Sequence, residues 1–205
     1  MAISETMDYS LVRSSADNSL LIMATERFSA LSDVLCSTFT TLATFPGSSL
    51  LSTTYISPLA SSPTASPRPI IPATYVTSTT GTGLVHTSPA HGVEDWEAFR
   101  AYQTALSPDT PLQDTLCAVD GEGRLIAEVL GQFLEGEKEV VERLAGKEVL
   151  GDGTDVVIDL LKERRTLLRE VEVQHKFPYD WRTKKPVIFR WVEGFDSRED
   201  PADPS

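Results

Sequence analysis

From Val34 to Pro67 the chain carries no charged side chain, although 23% of its residues overall are charged. That stretch must be covered by strand and loop. Part of it, "SSLLSTTYISPL" (48–59), has the β-branched and aromatic content of a strand. The Pro/Ser-rich "SSPTASPRPIIP", within a loop at 57–73, is expected to run extended over the surface.

On either side the apolar spacing alternates between the two periods. "YSLVRS" (9–14) and "SLLIMAT" (19–25) read as paired strands, and "ERFSALSDVL" (26–35) places Phe28, Leu31 and Leu35 at helical spacing. "ATYVTSTTGTGLVHTSP" (73–89) suggests two strands whose glycines permit a close approach. Residues 93–104 form a helix pattern with Glu94 and Asp95 in the first turn, where the macrodipole favours acidic groups. "AVDGEGRLI" (118–126) is a turn leading into a strand. Two amphipathic helices are expected, over 137–150 and 153–171, the second with Val157, Leu160, Leu161, Leu167 and Leu168 on one face. "VEVQHKFPYDWRTKKPVIFRWV" (171–192) reads as strand, basic turn, strand, and the acidic tail at 193–205 as disordered.

With 205 residues the chain suffices for one domain, here 2–192. Its net charge of −12 excludes a broadly basic nucleic-acid surface, so any such contact must be local. The N-terminus has neither the basic-then-apolar order of a signal peptide nor the look of a leader, and Met1 reads as a cut or mis-assigned start inside a longer protein. No apolar run approaches the ~18 residues of a membrane span. Cys36 and Cys117 lack metal spacing and are too few for a disulfide framework.

The chemistry-bearing residues concentrate in "GTGLVHTSPAHGVEDWEAFR" (81–100). His86, His91 and Asp95, with His175 far along the chain, lack zinc-type spacing, so no metal is expected. No G-x-S-x-G elbow exists, and Cys117 has no signature context. A purely structural account also fits: His86 closing a strand and Asp95 serving the first helical turn. In "WRTKKP" (181–186), Arg182, Lys184 and Lys185 beside Trp181 are either a solvated turn or a phosphate contact, with "KERR" (162–165) nearby in sequence.

Taken together, "YVTSTTGTGLVHTSPAHGVEDW" followed by "HKFPYDWRTKKPVIFR" resembles the editing insertion (connective peptide 1) of isoleucyl-tRNA synthetases, the bacterial or mitochondrial branch most closely. Lesser matches are "YSLVR", "LLIMATERF", "GSSLLSTTYISPL" and "VDGEGRL", so the likeness runs from about Ala2 to Arg190. The resemblance implies a mixed α/β fold with a closed β-barrel-like core wrapped by helices. It implies hydrolysis of valine wrongly esterified to tRNA(Ile). One methylene is worth only roughly 1–3 kcal/mol of discrimination, a magnitude for which this synthetase is the usual illustration and which is not worked out from this sequence.

By the same resemblance, Asp95 grips the α-ammonium of the mischarged amino acid and His86 lies against its side chain or ester. Thr79, Thr80, Gly81, Thr82 and Gly83 line the place of the terminal adenosine, and Arg182, Lys184 and Lys185 touch tRNA. Water attacks, without an enzyme nucleophile. His91 and Glu94 are motif neighbours with no assigned role. The partners implied are tRNA(Ile) and the remainder of a synthetase, without a membrane, in the mitochondrial matrix or the cytoplasm. Editing needs no cofactor; ATP and Mg belong to a catalytic core whose HIGH and KMSKS strings this sequence lacks. The family's TTTPWTLPAN-type pocket wall is also absent, and Ser88 stands where alanine is commoner. The sequence therefore predicts weak deacylation or none, leaving a non-catalytic tRNA-docking remnant as the other reading.

Overall fold

The computed structural model describes residues 1–60, 65–107, 115–172, 178–182, 184 and 186–190. A two-residue strand, β1 (Ala2–Ile3), precedes the hairpin expected from the alternating segments, β2 (Asp8–Ser14) and β3 (Leu20–Ala24). Its turn is local chemistry: Asn18 adopts φ 60°, and the Asp17 carboxylate accepts from the Ser19 N–H and hydroxyl. On the other side of β2 lies β4 (Phe39–Pro46), also antiparallel. The register skips Leu42 between the pairs Leu11–Ala43 and Val12–Thr41, a bulge that turns Leu42 outward.

The inward face of this sheet buries Val12, Met23 and Phe39 against Leu31 of α1 (Phe28–Leu35), with Phe28 edge-on to Phe39 at 5.5 Å. Cys36, in the left-handed region, ends the helix. A second cluster joins Ile3, Tyr9, Ala24, Leu50 and Ile70.

Short strands carry the rest of the β structure. β5 (Thr54–Tyr55) pairs antiparallel with β6 (Arg68–Pro69), while β7 (Ile71–Pro72) lies parallel to β1. Across β1 the Ala2 N–H and C=O both bond to Val85, so β1 sits between β7 and the segment that leads into His86. On β7 lies α2 (Val93–Leu106), whose Ala98, Phe99 and Tyr102 cover Ala2, Ile71, Ala73 and Val76.

A helical layer follows: α3 (Ala127–Phe133), α4 (Lys138–Leu144) and α5 (Asp152–Glu163), closed over Leu130, Leu134, Val140, Leu144 and Leu160. Glu137, only 7% exposed, bonds Arg164 at 2.6 Å and ties the start of α4 to the end of α5.

The mixed α/β class is as expected. The ladders form one three-stranded and two two-stranded sheets, and no closed barrel is found among the described residues. Four local readings are corrected. The strand expected within 48–59 is a 3₁₀ turn, Gly47–Leu50, followed by the two residues of β5, and the main strand of the uncharged region is β4. The two strands expected over 73–89 are turns and a single bridge at Val85, because their backbone groups bond to distant segments rather than to each other. The helices expected over 137–150 and 153–171 stop at Leu144 and Glu163; Arg165 adopts φ 55° just past the second. Residues 127–133 form a helix that no sequence signal announced. The tail at 193–205 and His175 lie outside the described residues.

Candidate functional site

The segment Thr79–Gly83 is a loop held from beneath by three separate groups. Arg27 donates from Nε to the Gly81 carbonyl at 2.9 Å and from Nη1 to the Thr79 carbonyl at 3.0 Å. The Ala24 N–H donates to the Thr82 carbonyl at 2.8 Å. The buried Tyr9 hydroxyl donates to the Gly83 carbonyl at 2.7 Å, and burial pushes that phenol's pKa up. Ser78 adds a hydroxyl bond to the Glu26 carboxylate.

Both glycines have backbone reasons. Gly83, at φ +81°, passes so near β3 that a Cβ would lie 2.5 Å from that of Ala24. Gly81, at φ +63°, has nothing within 4 Å of a Cβ, so the space above it is open. Thr79, Thr80, Gly81 and Thr82 are exposed and Gly83 is buried. The loop therefore spends its carbonyls inward and presents an uncovered outer surface.

His86 follows the Val85 bridge directly. The residue is exposed as a whole, while the chain around its ring disfavours the charged form. Its pKa is lowered first by that desolvation, then by the Met1 ammonium and Arg68, against an opposing pull from the Asp95 carboxylate. The net direction disfavours the imidazolium. Asp95 also acts on the Met1 ammonium, whose pKa falls to about 6 chiefly through burial.

Asp95 occupies the third position of α2, after the N-cap Gly92. Its Oδ2 accepts the Ser88 N–H at 2.7 Å, and its Oδ1 accepts the Tyr75 hydroxyl at 2.5 Å. Ser88 in turn accepts from the N–H groups of His91 and Gly92 through its carbonyl, so "SPAHG" is a turn wound onto the helix start. The reach of a third-position carboxylate back to a preceding N–H is the logic of a capping box. Burial and then the Asp95 carboxylate push the Tyr75 phenol up to about 12.

Among the described residues two cavities flank α2. One, of about 290 Å³, is lined by Pro89–Val93, Trp96, Phe189 and Arg190. The other, a groove of about 760 Å³, is lined by Ser4–Thr6, Pro72–Tyr75, Glu94, Glu97, Ala98 and Ala101. Neither lining includes His86 or Asp95. His91 lies at the first cavity, its Nδ1 2.9 Å from the Phe189 carbonyl and its Nε2 3.9 Å from the Cys117 sulfur. Because a carbonyl only accepts, a neutral His91 carries its proton on Nδ1. Among the described residues no group of three or more His, Cys, Asp or Glu could hold a metal ion, and no helix is long and apolar enough to cross a membrane.

The chain after the basic turn runs back toward α2. Tyr179 bridges Pro186, and the Arg182 guanidinium lies 4.8 Å over the Trp181 ring, which is 73% exposed. Arg182 and Lys184 are exposed; Lys185 is outside the described residues. Four residues further, Phe189 and Arg190 reach the cavity at the start of α2. Thr79–Gly83 is braced on β3 and on Arg27, His86 follows the bridge to β1, and Asp95 lies in the first turn of α2. Sequence reasoning gave no role to Arg27 or Tyr75, and noted Ser88 only as a departure from the commoner alanine. Tyr75 stood in the same quoted string, but a hydroxyl twenty residues from its acceptor gives no periodic signal.

No family model matches the chain. It is 37% identical over 182 residues to the mitochondrial isoleucine–tRNA ligase of Macaca fascicularis, 38% over 190 residues to the isoleucine–tRNA ligase of Gloeobacter violaceus, and 40% over 202 residues to that of Microcystis aeruginosa. These alignments cover 89%, 93% and 95% of the chain but only 16%, 18% and 19% of the relatives, so the chain spans less than a fifth of their length. In fold it is similar to the crystal structure of GlLeuRS-CP1, with a TM-score of 0.55 and 17% identity over 85% of this chain and 78% of that one. Sequence likeness over about nine tenths of its length carries the assignment: the chain belongs to the isoleucyl-tRNA synthetase family, with a fold similar to that of GlLeuRS-CP1.

Proposed function

We propose that the chain is an aminoacyl-tRNA editing domain that hydrolyses valine esterified to tRNA(Ile). The observation that carries this reading is the single run from Thr79 to Asp95, in which a pinned, outward-open loop, an imidazole whose charged form is disfavoured and a helix-start carboxylate stand on adjoining supports. Asp95 grips the α-ammonium of the amino acid by a charge-assisted contact. Each of its oxygens accepts one hydrogen bond from the described residues, and a carboxylate oxygen can accept more than one. His86 packs beside the side chain or ester, and the outer surface of Thr79–Gly83 receives the terminal adenosine. Water attacks the ester, oriented by the site and the substrate hydroxyls, and no cofactor is invoked. Arg182, Lys184 and Lys185 hold the tRNA backbone. The remainder of a synthetase, with its ATP- and Mg-dependent aminoacylation, is the implied partner. Relatives include both mitochondrial and bacterial enzymes, which accords with a mitochondrial or cytoplasmic location.

The second reading is a tRNA-docking module without chemistry. It is favoured by the absence of His86 and Asp95 from the linings of both cavities beside α2. Matched valyl- and isoleucyl-tRNA(Ile) separate the two. Editing predicts release of valine above the buffer rate, in preference to isoleucine and lost in Asp95→Ala. Binding of the tRNA with both esters decaying at the buffer rate would leave only docking.

A further inference from the structure

Tyr75 has no role assigned by sequence, yet it makes the shortest contact to the carboxylate on which the proposed site depends. Its hydroxyl reaches Oδ1 of Asp95 at 2.5 Å, while the Ser88 N–H holds Oδ2 at 2.7 Å. The two donors come from different supports. Tyr75 follows β7 and packs with Ile71, Ala73 and Val76 in the cluster beneath α2; Ser88 is fixed by the turn that begins α2. A carboxylate held at both oxygens from two directions cannot rotate about its Cβ–Cγ bond without losing one of them.

We propose that Tyr75 is a positioning residue: its phenol fixes the rotamer of Asp95 and keeps the carboxylate aimed for an ammonium ligand. The proposal rests on the assignment of Asp95 to the substrate ammonium. A charge-assisted hydrogen bond to a carboxylate is short and directional, and so fixes its orientation. Tyr75 supplies one without adding a positive charge that would repel the ligand, as a lysine or arginine in its place would. The phenol is well suited to this because burial and the carboxylate together keep its proton in place up to about pH 12. Its ring also lines the groove on the far flank of α2, beside Glu94 and Glu97, so the hydroxyl is anchored in packed structure and not carried on a free loop.

The test uses the full chain and two probes. One is adenosine bearing valine through a non-hydrolysable amide, with its α-ammonium. The other is the same compound with an α-hydroxyl in place of the ammonium. Tyr75→Phe retains the ring and is expected to weaken the ammonium probe about tenfold, the loss typical of one hydrogen bond to a charged group, and to leave the hydroxyl probe unchanged. Asp95→Asn is expected to erase the preference between the probes. Circular dichroism and urea midpoints report whether either variant has lost its fold, and the phenol titration should move down from about 12 in Asp95→Asn. If Asp95→Asn erases the preference and Tyr75→Phe leaves it intact, the positioning role is refuted while the Asp95 assignment stands. If Tyr75→Phe weakens both probes equally, the residue is structural and the proposal fails. If the wild type shows no preference, or Asp95→Asn does not alter it, the underlying assignment of Asp95 fails.

Discussion

Replacing Gly83 with alanine should be among the most damaging single-methyl additions available to this chain. The new Cβ would stand 2.5 Å from the Ala24 Cβ and 3.3 Å from the Ala24 nitrogen, which donates to the Thr82 carbonyl. It would also sit at φ +81°, a conformation costing a non-glycine residue roughly 1–2 kcal/mol. Relief of the clash requires the loop to move off β3, at an overpacking cost of about 1–3 kcal/mol. That movement lengthens the buried Tyr9–Gly83 hydrogen bond, worth roughly 1 kcal/mol. The sum is about 3–6 kcal/mol, a large fraction of a domain's usual stability. Gly81→Ala is the internal control: its φ is +63° but nothing lies within 4 Å, so only the backbone cost of roughly 1–2 kcal/mol applies. Urea unfolding followed by tryptophan fluorescence gives both values from midpoint shifts at constant slope. Equal losses for the two variants would refute the close-approach account of the second glycine.

Two further outcomes concern charge. His86 should titrate by NMR below its ordinary 6.5, because the surrounding chain, the Met1 ammonium and Arg68 outweigh Asp95. A base whose folded pKa is depressed contributes its full stability above 6.5 and loses it as pH falls through that value toward the folded pKa; in His86→Gln that part of the acid dependence should vanish. Replacing both Lys184 and Lys185 with alanine should weaken tRNA binding and reduce the slope of log K against log salt by about 1–2, one step of roughly 0.7–0.9 for each phosphate no longer neutralised. An unchanged slope places the tRNA backbone elsewhere on the protein.

Legibility in the sequence followed the range of the interactions. The β2–β3 hairpin, α1 and α2 were readable because period, turn residues and a first-turn acid pair lie within a few positions of one another. β4 was not, since only Phe39 of its eight residues is buried and an edge strand so exposed shows no alternation. The 73–89 segment has strand-like composition, but Arg27, Ala24 and Tyr9 claim its carbonyls from more than fifty residues away, and it bends to suit them. α5 ends before Leu167 and Leu168 because Arg164 turns to the buried Glu137 and Arg165 enters the left-handed region. At the candidate site the carboxylate was foreseeable from its place in the helix and the glycines from their motif. The hydroxyl and guanidinium that fix them were not, because a hydrogen-bond partner leaves no periodic trace.

The bridge between Ala2 and Val85 bears on when, as well as how, this region is made. His86 takes its place only once the second residue of the chain has met the eighty-fifth, with Ile71 closing on β1 from the other side. During synthesis β1 cannot make this bridge until that whole span has emerged, and closing so large a loop is slow compared with forming the nearby hairpin. The hairpin and its helix are therefore expected to stand as an early scaffold, with the histidine's neighbourhood assembled last and first to open when the protein loosens.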